Sequence, residues 1–159
     1  MTTQTTVQTA TARPLIPAMH RVWAQAEPFS DVIVRATAGL LLVPHGAQKL
    51  FGWFGGHGLE GTAGWLESIG FAPGLLFALG IGALEFFGGL MLALGLLTRP
   101  VAAAVLVFMV QAFFVHLPMG YAWNTGGFEM PLFWGLIALA VLIRGGGRYS
   151  LDRVIGREI

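Results

Sequence analysis

Four stretches of this chain are too apolar for water to cover, and they set what it can fold into. They occupy residues 32–51, 74–97, 101–117 and 130–143, each bounded by glycine, proline or charge. A helix needs about 20 mainly apolar residues to cross the hydrocarbon of a bilayer, and a backbone in lipid must satisfy its own polar groups. The stretches therefore predict an all-α integral membrane protein, a bundle of four spanning helices. The first stretch is the least pure, with Arg35, His45 and Lys49, whereas the second carries one charge, Glu85. The fourth is short unless its helix begins near Gly126; Pro131 suits its first turn, where a missing N–H costs nothing.

Composition excludes several classes of function. Hydrophobic residues make up 55% of the chain and charged residues 11%, against roughly 25% charged in soluble domains, so a water-facing surface cannot be built. A net charge of +1 leaves no basic stripe for phosphates, and nucleic acid is not a partner. Cysteine is absent, which removes disulfides, thiolate metal sites and dithiol chemistry. Any redox role would need a bound cofactor or a partner to carry the electrons.

Basic residues set the predicted orientation. Arg13 and Arg21 precede the first span, Arg99 lies between the second and third, and Arg144, Arg148, Arg153 and Arg157 follow the fourth. The opposite loops hold His57, Glu60, Glu67 and Glu129, with Lys49 at their edge. Both termini are thus expected in the cytoplasm. Residues 1–30 read as a flexible cytoplasmic tail, with 20–29 lying along the membrane surface. Residues 31–144 form the transmembrane domain, and 145–159 a cytoplasmic tail that caps the inner face of the bundle. In the second span, Ala78/Gly82 and Gly89/Ala93 allow close helix approach, either inside one bundle or across the face of a homo-oligomer.

The connection between spans one and two, GWFGGHGLEGTAGWLESIGFAPG, is too polar to span and too aromatic for a free loop. It predicts a short interfacial helix over 61–69 with Thr62 as its cap. Two roles fit it, a lid over the outer mouth of the bundle and a plain interfacial helix. No Gly-Lys-Ser/Thr follows its glycines, so they do not form a phosphate loop.

Ionisable groups inside a membrane are costly and normally face a protein interior. At a rise of about 1.5 Å per residue, Glu85 lies roughly 16 Å into its span and His45 about 8 Å below the outer end of the first. Lys49 is one turn from His45 on the same face. His116, with Gln111 deeper, falls at the outer end of span three, and Glu129 begins span four. Every span thus places polar side chains in its outer half. Three readings stay open: a pocket for the polar headgroup of a hydrophobic molecule such as a quinone, a metal site of two histidines and two glutamates, and an ion-pair network that only holds the bundle. The metal reading lacks the Glu-x-x-His spacing of metal-binding bundles.

The stretches HGAQKLFGWFGGHGLEGTAGWLESIGF, LEFFGGLMLALGLLTRPVA, HLPMGYAWNTGGFEMPLFW and GGGRYSLDRVI together resemble the DoxX family of small bacterial and archaeal membrane proteins, over about residues 31–153. The resemblance implies a four-helix inner-membrane protein and a link to quinone-dependent or oxidative-stress redox systems. It matches His45, Lys49, Glu85, His116 and Glu129 to recurring polar positions without assigning them a catalytic role. The expected function is an accessory membrane subunit with a quinone-like site in the outer half, acting beside a redox partner protein. Binding or transport of a small solute or lipid, and a structural anchor without chemistry of its own, are the alternatives. No hydrolase triad, metalloprotease helix or nucleotide loop is present, so autonomous catalysis is not expected.

Overall fold

The computed structural model describes residues 16–156; residues 1–15 of the flexible tail expected over residues 1–30, with Arg13, and the basic residue Arg157 lie outside them. Among the described residues every regular element is helical. Six α-helices follow in order: α1 (Pro17–Phe51), α2 (Gly58–Ser68), α3 (Gly74–Leu94), α4 (Thr98–His116), α5 (Glu129–Arg144) and α6 (Leu151–Ile155). Two of these regions are long and apolar enough to cross a membrane: Gly74–Leu94, with 21 residues, and Thr98–Met119, with 22.

Local sequence explains most boundaries. Pro17 occupies the first turn of α1, and Gly52, at φ 71°, ends it in the left-handed region that favours glycine. That helix has 35 residues and runs through Pro28 and Pro44; residues 20–29 are its first turns and not a separate surface segment. The polar run before Asp31 does not break it, and there the Ser30 hydroxyl donates to the Glu27 carbonyl at 2.7 Å. Helix α2 starts at Gly58, three residues earlier than expected. Thr62 therefore lies past the first turn, and its hydroxyl donates to the Gly58 carbonyl at 2.7 Å instead of capping the helix. Within α3, residues Leu84–Gly88 form a wider π turn that includes the buried Glu85 and Gly88.

Glycine sets the closest packing. Helix α1 lies along all of α3, and their backbones nearly touch at two places. A Cβ on Gly39 would stand 2.3 Å from the Gly89 carbonyl oxygen, and one on Gly46 would stand 2.3 Å from the Phe86 nitrogen. Gly82 and Gly89, two of the small residues conspicuous in the second span, are thus engaged inside the chain. Ala78, fully buried, joins Ala63 and Leu66 where α2 packs on α3. Helices α4 and α5 pair with each other, and α4 meets α3 chiefly over residues 84–94.

The main core is confined to one half of the bundle. It joins Leu42, Leu92, Val101, Val105, Met109 and Val141. At that end residues 145–155 fold back onto the helices. The buried Arg35 guanidinium donates to the carbonyls of Leu92 at 3.1 Å and Ala93 at 2.5 Å, where α3 ends, to that of Gly146 at 3.0 Å, and to that of Tyr149. Asp152 accepts from the Leu97 N–H at 2.7 Å, the Thr98 N–H at 2.9 Å and the Thr98 hydroxyl at 2.7 Å, which caps α4 from a distant segment. The clamp closes one end of the molecule and leaves the other to open.

Candidate functional site

Beyond Leu42 the two halves of the bundle diverge. Helix α4 leaves α3, while α2 stays with α1 and α3. Between them lies a cavity of about 830 Å³, within the range of small-molecule sites. Its wall is mostly apolar and aromatic: Trp65 and Phe71 from the α2 region, Phe77 from α3, Phe108 from α4, Trp134 from α5 and Trp123 from the loop before α5.

Five of the six pocket residues named from the sequence line this cavity: His45, Lys49, Glu85, Gln111 and His116. At its floor the Lys49 ammonium donates to a Glu85 carboxylate oxygen at 2.6 Å, with Glu85 only 5% exposed. His45 stands one turn along α1 from Lys49. On the facing wall, His116 Nδ1 lies 2.6 Å from the Gly126 carbonyl oxygen. A carbonyl only accepts, so Nδ1 carries the proton of this contact. His45 and Gln111 are exposed, on the open side of the cleft.

Glu129 departs from the group. It is the first residue of α5, and its carboxylate turns back to accept from the Trp123 N–H at 3.1 Å. It closes the α4–α5 loop and lies outside the cavity wall, so the apolar residues Met130, Pro131 and Trp134 are what α5 presents there. Among the described residues no group of three histidine or carboxylate side chains is placed to hold a metal ion.

The sequence did not single out Thr62, Leu66 and Ile69 as cavity residues, nor the tryptophans as its walls. Trp65 lies in the interfacial helix expected over 61–69, and amphipathic rings signal an interface before they signal which side they face. The role of Arg35 was equally hidden, since a basic residue near the start of an apolar stretch looks the same in sequence whether or not it is buried.

In chemical terms, the cavity offers donors at Lys49 and Gln111, acceptors at Glu85 and Gln111, the imidazole rings of His45 and His116, and a broad aromatic surface. These features define a helical membrane protein with an internal, mainly apolar cavity and a paired charge at its floor. The family model for DoxX matches residues 30–117. The chain belongs to the DoxX family. It is 30% identical over 155 residues to an uncharacterized membrane protein of Mycobacterium tuberculosis, covering 89% of this chain and 91% of that one. It is 34% identical over 135 residues to the inner membrane protein YqjF of Escherichia coli, covering 83% and 96% respectively. No solved structure matches it.

Proposed function

We propose that the protein is an accessory subunit of a membrane redox system that holds a quinone-like molecule in the cavity between α1, α3 and α4. The observation that carries this reading is the convergence of His45, Lys49, Glu85, Gln111 and His116 on one otherwise apolar space. A pure ion-pair network would need no room around it. Here the Lys49–Glu85 pair borders a volume of drug-molecule size. A quinone headgroup accepts hydrogen bonds at its carbonyls and donates them when reduced, and the donor and acceptor sets above serve both states. A histidine beside it can take or return a proton.

The same proposal includes a topology. Helices α1, α3, α4 and α5 cross the bilayer with both termini in the cytoplasm, and the α2 end faces the outer side. Basic residues Arg99, Arg144, Arg148 and Arg153 all belong to segments at the α6 end. The inner-membrane name of the E. coli relative supports that location.

The test is mass spectrometry of organic extracts from protein purified in mild detergent, for wild type, Glu85→Gln and Glu129→Gln. A quinone retained by wild type and by Glu129→Gln, and lost from Glu85→Gln, is the expected result. Retention in all three, or bulk phospholipid alone in all three, would sink the redox reading.

A further inference from the structure

The cavity is not closed on all sides, and its open side has a defined chemical character. Of its wall residues, Phe77 on α3 is 39% exposed and Val107 on α4 is 71% exposed; Ala104 and Gln111 on α4 are exposed as well. These residues border the gap that opens where α4 leaves α3. The helices flanking that gap are the two long and apolar enough to cross a membrane. A slot between two such helices faces hydrocarbon, not water. Whatever passes through it arrives from the lipid phase.

The floor of the cavity restricts the passenger further. Among the described residues the charges in the wall are Lys49 and Glu85, and they neutralise each other at 2.6 Å. No other lysine, arginine or carboxylate lines the cavity. A phosphate or carboxylate headgroup would have to be desolvated against a lysine already paired, at a cost that burial makes large. An uncharged headgroup meets no such barrier and finds donors and acceptors waiting.

We infer that the gap between α3 and α4 is a lateral portal through which an uncharged, lipid-phase molecule brings its polar head to the Lys49–Glu85 floor while its tail stays in the bilayer. This rests on the pocket reading above and adds to it the route of entry and the exclusion of anionic amphiphiles. Phe77 and Val107 are the jambs of that opening, and Gln111 is the first hydrogen-bonding group inside it.

The chain has no cysteine, so a single introduced thiol can be modified cleanly. Val107→Cys and, separately, Ala104→Cys would be coupled to a bulky maleimide in reconstituted vesicles, with Ile143→Cys as the control. Ile143 is 71% exposed on α5, away from the cavity. With Trp23, Trp53, Trp65 and Trp123, all strongly exposed, replaced by phenylalanine, decylubiquinone added through the lipid quenches Trp134, the half-buried tryptophan of the cavity wall. The rate of quenching reads entry, and dodecyl phosphate serves as the anionic competitor. Modification at either portal position should slow quenching at least tenfold, modification at Ile143 should change it less than twofold, and dodecyl phosphate should not displace the quinone. Unchanged rates after portal modification would overturn the route and leave the pocket standing. Displacement by dodecyl phosphate would overturn the charge rule. If decylubiquinone fails to quench Trp134 in the unmodified protein, the pocket reading falls, and the portal with it.

Discussion

Asp152 sits at the meeting point of three segments, and its ionisation holds them. Burial alone would push its carboxyl up. The backbone and hydroxyl hydrogen bonds from Thr98, the Leu97 N–H and the charge of Arg35 outweigh burial and hold it below the ordinary carboxylate value. A carboxyl with a depressed folded pKa contributes stability that is complete above its unfolded value, about pH 4, and is lost as pH falls through the folded value. Thermal unfolding in detergent should therefore show an acid limb below about pH 4 that flattens in Asp152→Asn. At neutral pH the variant should lose on the order of 1–3 kcal/mol, because the Thr98 and Leu97 donors keep a weaker acceptor. An equally steep acid limb in the variant would assign it to other carboxylates. None of this was legible in the sequence beyond the expectation that the C-terminal segment caps the bundle. The motif GGGRYSLD shows glycines and charges, but the partners of Arg35 are mostly backbone carbonyls, and carbonyls leave no mark on residue type.

At the scale of the element, hydropathy located the helices well because lipid leaves the backbone few alternatives. Residues 74–97 became Gly74–Leu94, and residues 130–143 became Glu129–Arg144. Hydropathy could not show how the helices rotate against each other. That depends on which small residues meet, and in the second span only one side of each contact was noticed. Gly39 and Gly46 on α1 face Gly89 and Gly82 on α3 with the same seven-residue interval run antiparallel, so the two pairs form one seam. Gly46→Ala places its methyl against the Phe86 nitrogen and the Gly82 carbonyl, both backbone atoms that cannot move alone. The expected loss is roughly 1–3 kcal/mol. Gly80→Ala on α3 meets nothing within 4 Å and should change stability by no more than about 1 kcal/mol, in the stabilising direction. Each variant adds one methyl, the first inside the seam and the second off it, so their melting curves separate the seam from general helix effects. Equal curves would show that α1 and α3 do not pack through glycine. The π turn of α3 was invisible in advance, since its sequence LEFFG has no feature that an ordinary helical turn would reject.

For the molecule as a whole, the two ends do opposite work. One is tied by Arg35 and Asp152 and filled by the main core; the other is parted by the cavity. The polar cluster in the sequence pointed to the second end because charge in an apolar span demands an interior. It overshot at Glu129, which looks the same in sequence whether it faces a cavity or ties a loop. Which leaflet the open end samples follows from orientation, and orientation follows from where the arginines lie. Translocating Arg99, Arg144, Arg148 and Arg153 is unfavourable, so the α6 end should stay in the cytoplasm. Two single-cysteine variants decide this. Gly64→Cys stands on α2 with open space around it, and Val154→Cys on α6 replaces a side chain 81% exposed. In intact bacterial cells a membrane-impermeant maleimide should label Gly64→Cys at once and Val154→Cys only after lysis. The reverse pattern would turn the molecule over. The portal would then draw its ligand from the inner leaflet, and a redox partner would meet the cavity from the cytoplasmic side. Labelling of both in intact cells would mean that an even number of helices crosses between α2 and α6, and α5, the shorter of the apolar helices after the turn, would be the one that stays on the surface.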